Sequence, residues 1–368
     1  MSDAGQWSRR GIFSTRGLAA STGGMLAPLI RDSRVLNAAA KADDRSVAYC
    51  SASRRAMACD FIIHFNPLVR DPLLVGNGAF DEVDRIEELL SIYRADSQIS
   101  RVNREAHARP VRVDAMVFNL LKRAAELTEQ TQGAFDIATG SIIEAWGFHD
   151  KNKRVPSADQ LAAAMATSGM QHVELDEKEL TVRFRTPGVK INLGAIGKGF
   201  AIDRAVHVMR RDFGITCALM AGGSSSLRGL GSLDGESGWV IGIEDPDDPC
   251  RNVATVRLLN RAMGTSNPSN QFFEAGGRRF GHLLDPRTGW PANEVASVSV
   301  LAPDGATADA LATAFFVMGL DKTAEFCHNH PKIAVVMVLK PSDVKQTSER
   351  SAKRVVTFNL SPLDVRRC

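Results

Sequence analysis

The chain has 368 residues, of which 44% are hydrophobic and 24% charged, and its formal net charge at pH 7 is +3. This composition is typical of a globular protein, and the length is sufficient for one large domain or two ordinary ones. The small net charge and an aromatic content of only 6% argue against a nucleic-acid-binding surface, and no apolar stretch reaches the ~18 residues of an ordinary transmembrane helix.

Residues 1–50 differ in composition from the rest of the chain. Arg9 and Arg10 lie in a twin-arginine pattern, residues 17–30 are uncharged and mildly apolar, and small residues follow at 38–40. These features resemble a twin-arginine export signal. We therefore expect export to the periplasm or cell envelope. A disordered or helical extension of a cytoplasmic protein is the alternative.

The globular pattern begins at Arg55 and mixes strands with helices along the chain. Apolar residues at helical spacing or in short β-rich runs define these elements. Helices are predicted at 79–93, 114–131, 156–168, after Gly199, and at 308–318 and 324–329, and strands at 56–65, 173–175, 180–184, 217–221, 239–243, 254–259, 295–301, 333–339 and 355–360. The prediction is an α+β fold of mixed sheets with packed helices, comprising a domain over 51–345 and a C-terminal tail over 346–368 that carries the last strand.

A glycine-rich turn separates a strand from a helix in residues 190–203. Glycines at such a turn let the backbone approach a phosphate, and the helix N-terminus favours anions. The pattern is neither of the two common nucleotide-binding glycine motifs, so a close-packed turn without a ligand is an equal alternative. Lys198, a cation among small residues, favours the anion site. Two further loops of glycine and hydroxyl residues are predicted at 222–226 and 263–267.

His282 precedes a turn fixed by Pro286 and Gly289, which holds its imidazole at the mouth of a loop. If the segment that follows is helical, Asp309 and Thr313 lie one turn apart on the same face. A carboxylate and a hydroxyl stacked in this way suit a hard cation such as Mg²⁺. Taken singly, Asp309 is better explained as an acid at a helix start, and His282 as a histidine satisfied within its turn.

Seven segments in this order resemble the motifs of the ApbE family, the FAD:protein FMN transferases. They cover residues 55 to 340, nearly all of the globular part. The matching segments are Ala56–Cys59, Ser91–Asn103, Gly133–Asp136 with Trp146–Phe148 after it, Asn192–Asp203, Gly222-Gly223, His282–Gly289 and Thr307–Ala314.

The resemblance implies an ApbE-like (T-fold-like) FAD-binding architecture and a Mg²⁺-dependent reaction. The FMN moiety of FAD would pass to a threonine or serine hydroxyl of a target flavoprotein with a D-x-x-[ST]-G-A-[ST]-like motif, and AMP would leave. His282 would be the general base, and Ala195, Asp309 and Thr313 would bind Mg²⁺. The FAD site would be lined by Met57, Tyr93, Ala134, Phe135, Asp136, Asn192, Lys198 and Leu283. No nucleic-acid partner is expected, and the protein would be a monomer or homodimer.

The sequence departs from the family pattern at three places. Ala58-Cys59 replaces the usual Gly-Thr, Asn192 stands where the family usually has aspartate, and Gly197 replaces alanine. The change at Asn192 removes a negative charge near the metal. Two alternatives remain open: a metal-dependent FAD pyrophosphatase that releases FMN and AMP, and a non-catalytic FAD-binding or delivery protein.

Overall fold

A computed structural model describes residues 49–149, 152–233, 238–268, 271–340 and 355–368, together with the backbone of 12–16. The α-helices within these residues are α1 Pro72–Leu90, α2 Gln98–Glu105, α3 Ala115–Gln130, α4 Gly140–Ala145, α5 Ala158–Ala166, α6 Gly197–Phe213 and α7 Gly305–Asn329. The strands are β1 Ile12–Arg16, β2 Tyr49–Ala56, β3 Cys59–Phe65, β4 Val111–Arg112, β5 Val173–Asp176, β6 Thr181–Phe184, β7 Ala218–Gly222, β8 Ser226–Leu230, β9 Trp239–Asp245, β10 Asp248–Leu258, β11 Arg261–Ser266, β12 Phe272–Ala275, β13 Arg278–Gly281, β14 Ser297–Ala302, β15 Ala334–Val338, β16 Val355–Phe358 and β17 Val365–Arg367.

A nine-stranded antiparallel sheet in the order β1-β2-β3-β7-β8-β11-β14-β15-β16 forms the centre of the fold. Alternate residues of its inner strands enter two different cores: Ala218 and Met220 pack towards the helices, and Leu219 and Ala221 pack towards the small sheet β17-β10-β9. Because side chains alternate along a strand, a strand covered on both faces is apolar throughout. The predicted mixture of sheets and packed helices is therefore confirmed.

Two smaller sheets are not hydrogen-bonded to the large one. The sheet β4-β6-β5 and the ribbon β12-β13 are separate from it. Trp146 contacts Phe273, Phe280 and Trp290 at centroid distances of 6.3, 5.5 and 5.2 Å, and its Nε1 donates to the carbonyl of Gly289 at 2.7 Å. This aromatic cluster fixes the ribbon against the turn that follows His282.

The predicted strand over 56–65 is wrong at its start. β2 ends at Ala56 and β3 begins at Cys59, with Met57 and Ala58 forming a two-residue hairpin turn at φ 47° and 61°. Such a turn requires left-handed backbone at both central residues. The two-residue turn is not apparent in the sequence because neither residue is glycine or asparagine. The globular part also begins earlier than Arg55, since β2 starts at Tyr49.

Two segments that were predicted as connections form a helix and a strand. The stretch 91–103 contains most of α2, which begins after Ser97, whose side chain accepts from the Ser100 amide. The predicted loop 263–267 is largely β11, in the interior of the large sheet. Its small residues reflect close helix packing, because a Cβ at Gly264 would lie 2.5 Å from the Ala308 backbone.

Helices predicted from amphipathic spacing occur where expected, with shifted ends. α1 begins at Pro72, ahead of the predicted 79. The helical backbone of α7 is interrupted at the predicted stop, Gly319, which has φ 75°, and a second helical segment follows it to Asn329. Asp114 caps α3 as predicted. A glycine in the left-handed region normally marks a helix end, but here the chain resumes its helix after the kink.

The predicted export signal falls largely outside the described residues. Arg9, Arg10 and the apolar stretch 17–30 are not described, and residues 12–16 form β1 beside β2. Among the helices that the structure describes, none has the length and apolar character needed to cross a membrane.

Candidate active site

Asp309 and Thr313 lie one turn apart on α7 and face strands β8 and β11. The Oδ2 atom of Asp309 accepts hydrogen bonds from the Ser226 hydroxyl at 2.9 Å and from the Gly199 amide at 2.7 Å. The Thr313 hydroxyl lies 3.4 Å from that of Ser266. The site therefore joins two strands, the start of α6 and the first turns of α7.

Burial raises the pKa of Asp309 to about 7, although the Lys198 ammonium and the two hydrogen bonds oppose the shift. Both hydrogen bonds fall on Oδ2, which leaves Oδ1 for another partner. The described residues contain no group of three or more His, Cys, Asp or Glu arranged to hold a metal. A cation here would combine one carboxylate with neutral oxygens, which is a donor set suited to Mg²⁺ with its own water ligands.

The N-termini of α6 and α7 cross at two glycines. A Cβ added to Gly199 would lie 2.0 Å from the Gly305 carbonyl oxygen, and one added to Gly305 would lie 2.5 Å from that of Gly199. The first amides of each helix donate to an aspartate of the other helix. The Gly199 amide of α6 donates to Asp309 of α7, and the Gly305 and Ala306 amides of α7 donate to Asp203 of α6 at 2.8 and 3.0 Å. This reciprocal capping fixes the position of Asp309.

Lys198 lies on the first turn of α6, half-buried, and its Nζ donates to the Ser225 hydroxyl. Its charge contributes to the lowered pKa of His282 and opposes the rise that burial imposes on the pKa values of Asp309 and Cys59. A single cation is thus close enough to act on all three groups. The predicted cation therefore lies at the helix N-terminus, and the anion site at the glycine-rich turn stays a prediction.

Asn192 and Ala195 occupy the turn that leads into α6. The Oδ1 atom of Asn192 accepts from the Gly194 amide at 2.8 Å, and its backbone N–H donates to the Ile137 carbonyl at 2.7 Å. An aspartate could accept the same bond, so the amide preserves the turn while removing the charge. Ala195 is half-buried in the same turn.

The predicted flavin-site residues 134–136 have different roles. The side chains of Ala134 and Phe135 are buried, so only their backbone could reach a ligand. The carboxylate of Asp136 accepts from the amides of Ala138 and Met170 at 2.7 and 2.8 Å, and burial raises its pKa. Asp136 therefore organises its own loop.

His282 directly follows β13 and is oriented by a backbone carbonyl. Its Nδ1 lies 3.0 Å from the Gln271 oxygen, which also accepts from the His282 amide at 3.1 Å. Because a carbonyl can only accept, Nδ1 carries the proton and Nε2 is left with its lone pair. Burial lowers the pKa of His282, and Lys153 and Lys198 lower it further, so the neutral form dominates at physiological pH.

Asp285, three residues after His282, does not orient the imidazole: its carboxylate accepts from the backbone amide and the guanidinium of Arg287, each at 2.9 Å. The partner that orients His282 is the carbonyl of Gln271. The sequence gives no signal for this contact, since any residue can supply a carbonyl and the two positions meet only through the β12-β13 ribbon.

The remaining predicted flavin-site residues occupy three environments. Met57 sits in the hairpin turn, with its amide donating to Glu87 at 2.9 Å and its Cε atom 3.5 Å from where a Cβ would stand at Gly197. Tyr93 is 74% exposed and stacks on His149 at 4.9 Å. Leu283 is buried in the main core. Met57 thus meets the start of α6, whereas the Tyr93 ring lies at the surface.

Several residues at the site were given no role by sequence reasoning. Ser225, Ser226 and the carbonyl of Gln271 contact Lys198, Asp309 and His282 respectively. Asp203 acts indirectly, because it binds the first amides of the helix that carries Asp309. Ser225 and Ser226 belong to the predicted hydroxyl loop, so the pattern marked the segment without specifying its partners.

The fold and site define an enzyme-like centre in which Lys198, at a helix N-terminus, acts electrostatically on the buried carboxylate of Asp309 and on His282. The sequence model of the family described as "ApbE family" matches residues 57–337 of this chain. The chain belongs to this family.

Similar proteins agree in both sequence and fold. The FAD:protein FMN transferase of Haemophilus influenzae is 31% identical over 276 residues, covering 73% of this chain and 79% of that protein. The protein of the same description from Treponema pallidum is 32% identical over 282 residues, covering 73% and 78%. Among solved structures, the ApbE protein of Thermotoga maritima has a TM-score of 0.73 at 32% identity, covering 79% of this chain and 94% of that one. The flavin transferase ApbE of Vibrio cholerae has a TM-score of 0.71 at 28% identity, with coverage of 83% and 98%.

Proposed function

We propose that this chain is a flavinyltransferase that moves the FMN moiety of FAD to a threonine or serine hydroxyl of a target flavoprotein, with Mg²⁺ bound and AMP released. The observation that carries the proposal is that Lys198, at the start of α6, acts electrostatically on two groups: the Asp309 carboxylate at the crossing of α6 and α7, and the His282 imidazole. The names of the relatives, which are FAD:protein FMN transferases, support the choice of substrate.

Asp309, Thr313 and the Ala195 carbonyl would hold the metal. A carboxylate whose pKa is raised by burial gains most from a nearby cation, because the cation compensates the desolvation of its charge. When bound, Mg²⁺ neutralises charge on the diphosphate during phosphoryl transfer. Lys198 would bind a phosphate oxygen beside it at the helix N-terminus.

His282 would accept the proton of the acceptor hydroxyl. As that oxygen bonds to the phosphorus on the FMN side, the bond from this phosphorus to the bridging oxygen breaks. AMP leaves with the bridging oxygen, and the hydroxyl proton passes to Nε2 of His282. The Gln271 carbonyl keeps Nε2 available by binding Nδ1, and a lowered pKa keeps the ring neutral before the reaction.

Incubating the full chain with FAD, Mg²⁺ and a flavoprotein that carries the D-x-x-[ST]-G-A-[ST] pattern tests this function. Mass spectrometry of the acceptor should detect an added FMN that disappears with a chelator. Free FMN and AMP without an adduct would identify a pyrophosphatase instead. FAD that is bound but unchanged would identify a binding or delivery protein.

Asp309→Asn should abolish metal-dependent turnover. Asp304→Asn is the matched control, because Asp304 caps the same helix through the Thr307 amide at 2.8 Å and asparagine caps equally well. Equal activity of the two variants would contradict the proposal that Asp309 binds the metal. His282→Ala should retain FAD binding and slow the transfer, and loss of binding would make its role structural.

We also propose that the protein is exported, on the basis of the twin-arginine pattern at Arg9 and Arg10. Fractionation of cells that produce the wild type and the Arg9→Lys/Arg10→Lys variant tests this directly. The wild type should reach the cell envelope and the variant should remain inside. The same distribution for both would contradict export by this route.

A further inference from the structure

A groove distinct from the candidate active site lies among α3, α6 and the N-terminus of α7. Its volume is about 680 Å³, which is within the range of pockets that hold small metabolites. The lining residues are Asn119, Leu120, Arg123, Phe200, Asp203, Val206, His207, Arg210, Arg211, Arg228, Asp304 and Ala306.

The groove and the candidate active site use different faces of α6. Phe200, Asp203, His207 and Arg210 line the groove, and their spacing of three and four residues places them in one stripe along the helix. Lys198 is absent from this lining and points to Ser225 instead. A ligand in the groove would therefore leave the anion-binding turn accessible.

Arginine side chains dominate the groove, since four of them face two aspartates. Both aspartates are engaged by the backbone of α7: Asp203 binds the amides of Gly305 and Ala306, and Asp304 binds that of Thr307. Much of their capacity to accept hydrogen bonds is thus used within the fold.

The arginines differ in how far they are committed to other groups. Arg228 is paired with Asp203 and Arg211 with Asp212. Arg123 binds Glu126 at 3.0 Å and the Thr307 hydroxyl at 3.3 Å. Arg210 is exposed and makes no side-chain hydrogen bond or ion pair within the described part of the chain. Its guanidinium is the cation most available to a ligand.

We propose that this groove is a second binding site, for a small organic phosphate. The planar guanidinium matches a phosphate group with parallel hydrogen bonds, and Arg210 and Arg123 would supply these donors. Phe200, Leu120 and Val206 provide apolar surface for the organic part. The site does not depend on the proposed transferase reaction, since none of these residues belongs to the candidate active site.

Calorimetric titration of inorganic pyrophosphate into the full chain, without Mg²⁺ or FAD, tests the proposal. The Lys198→Gln background removes the cation of the active-site turn, so the binding that remains reports on the groove. Adding Arg210→Gln should weaken this binding about tenfold, as expected for losing a hydrogen bond to a charged group. Adding Arg183→Gln should leave it unchanged, because Arg183 is an exposed arginine on β6 outside the groove.

Three results would overturn the proposal. Absence of pyrophosphate binding in the Lys198→Gln background would place any anion site at the active-site turn. Equal weakening by Arg210→Gln and Arg183→Gln would indicate a general effect of net charge. Unchanged affinity in both double variants would place the site elsewhere. Circular dichroism of each variant confirms that the comparison is made between folded proteins.

Discussion

Substituting the glycines of α6 tests the helix crossing that positions Asp309. Gly197 and Gly199 lie two residues apart on the same helix, but only Gly199 meets the backbone of α7. A Cβ at Gly199 would lie 2.0 Å from the Gly305 oxygen, whereas the nearest atom to a Cβ at Gly197 is the Met57 Cε at 3.5 Å. Gly199→Ala should therefore be strongly destabilising, and Gly197→Ala is its matched control.

The magnitude follows from the contacts. To accommodate the new Cβ, the helix starts must separate by at least about 1 Å, and overpacking of this kind costs about 1–3 kcal/mol. The separation also weakens the bond from the Gly199 amide to Asp309, and hydrogen bonds to charged groups contribute about 1.5–3 kcal/mol. We expect Gly199→Ala to lower the free energy of unfolding by about 3 kcal/mol or more. Gly197→Ala should change it by between zero and about 1 kcal/mol in the stabilising direction, because alanine favours helix.

Urea unfolding of the full chain in the presence of a chelator measures both effects. Adding Gly305→Ala to Gly199→Ala should cost less than the sum of the single changes, because the helices have already separated. The proposed crossing would be refuted if Gly199→Ala remained as stable as the wild type, or if both single variants lost the same free energy of unfolding.

Three further predictions concern pH, backbone strain and capping. Burial lowers the pKa of His64 to about 4, below its unfolded value, so its contribution to stability is present above about pH 6.5 and is lost as pH falls towards 4. Denaturation midpoints across that range should fall less for His64→Gln than for the wild type, and parallel curves would contradict this. Ala58→Gly should raise the free energy of unfolding by about 0.5–1 kcal/mol, because it relieves the strain of a left-handed alanine at φ 61° and this gain exceeds the added entropy of the unfolded chain. A decrease of this free energy in urea unfolding would contradict the left-handed conformation of Ala58 in the turn. Asp203→Ala should lower the free energy of unfolding by about 2–4 kcal/mol, because two amides and Arg228 lose a half-buried carboxylate. A change below about 0.5 kcal/mol, typical of a surface site, would contradict a role for Asp203 in stabilising the crossing.

Local sequence was sufficient to predict several helix starts and one face of the site. Asp114 caps α3 and Ser157 forms a capping box at the start of α5, and both signals lie within a few residues of the helix they start. Asp309 and Thr313 share a face because four residues make about one turn of any α-helix. These features depend only on neighbours along the chain, so the sequence by itself was sufficient to predict them.

Other features were decided by groups that are distant in sequence. Asp309 meets Ser226 and Gly199 across 83 and 110 residues, and its raised pKa depends on burial that only the packed fold provides. The carbonyl that orients His282 and the turn at Met57 and Ala58 have no distinctive residue type to reveal them. The small residues of β11 predicted a loop, although their actual role is to let α7 approach the sheet. The type of a residue determines which interactions its side chain can form. The partners, burial and backbone conformation of that residue are decided only when segments remote in sequence pack together.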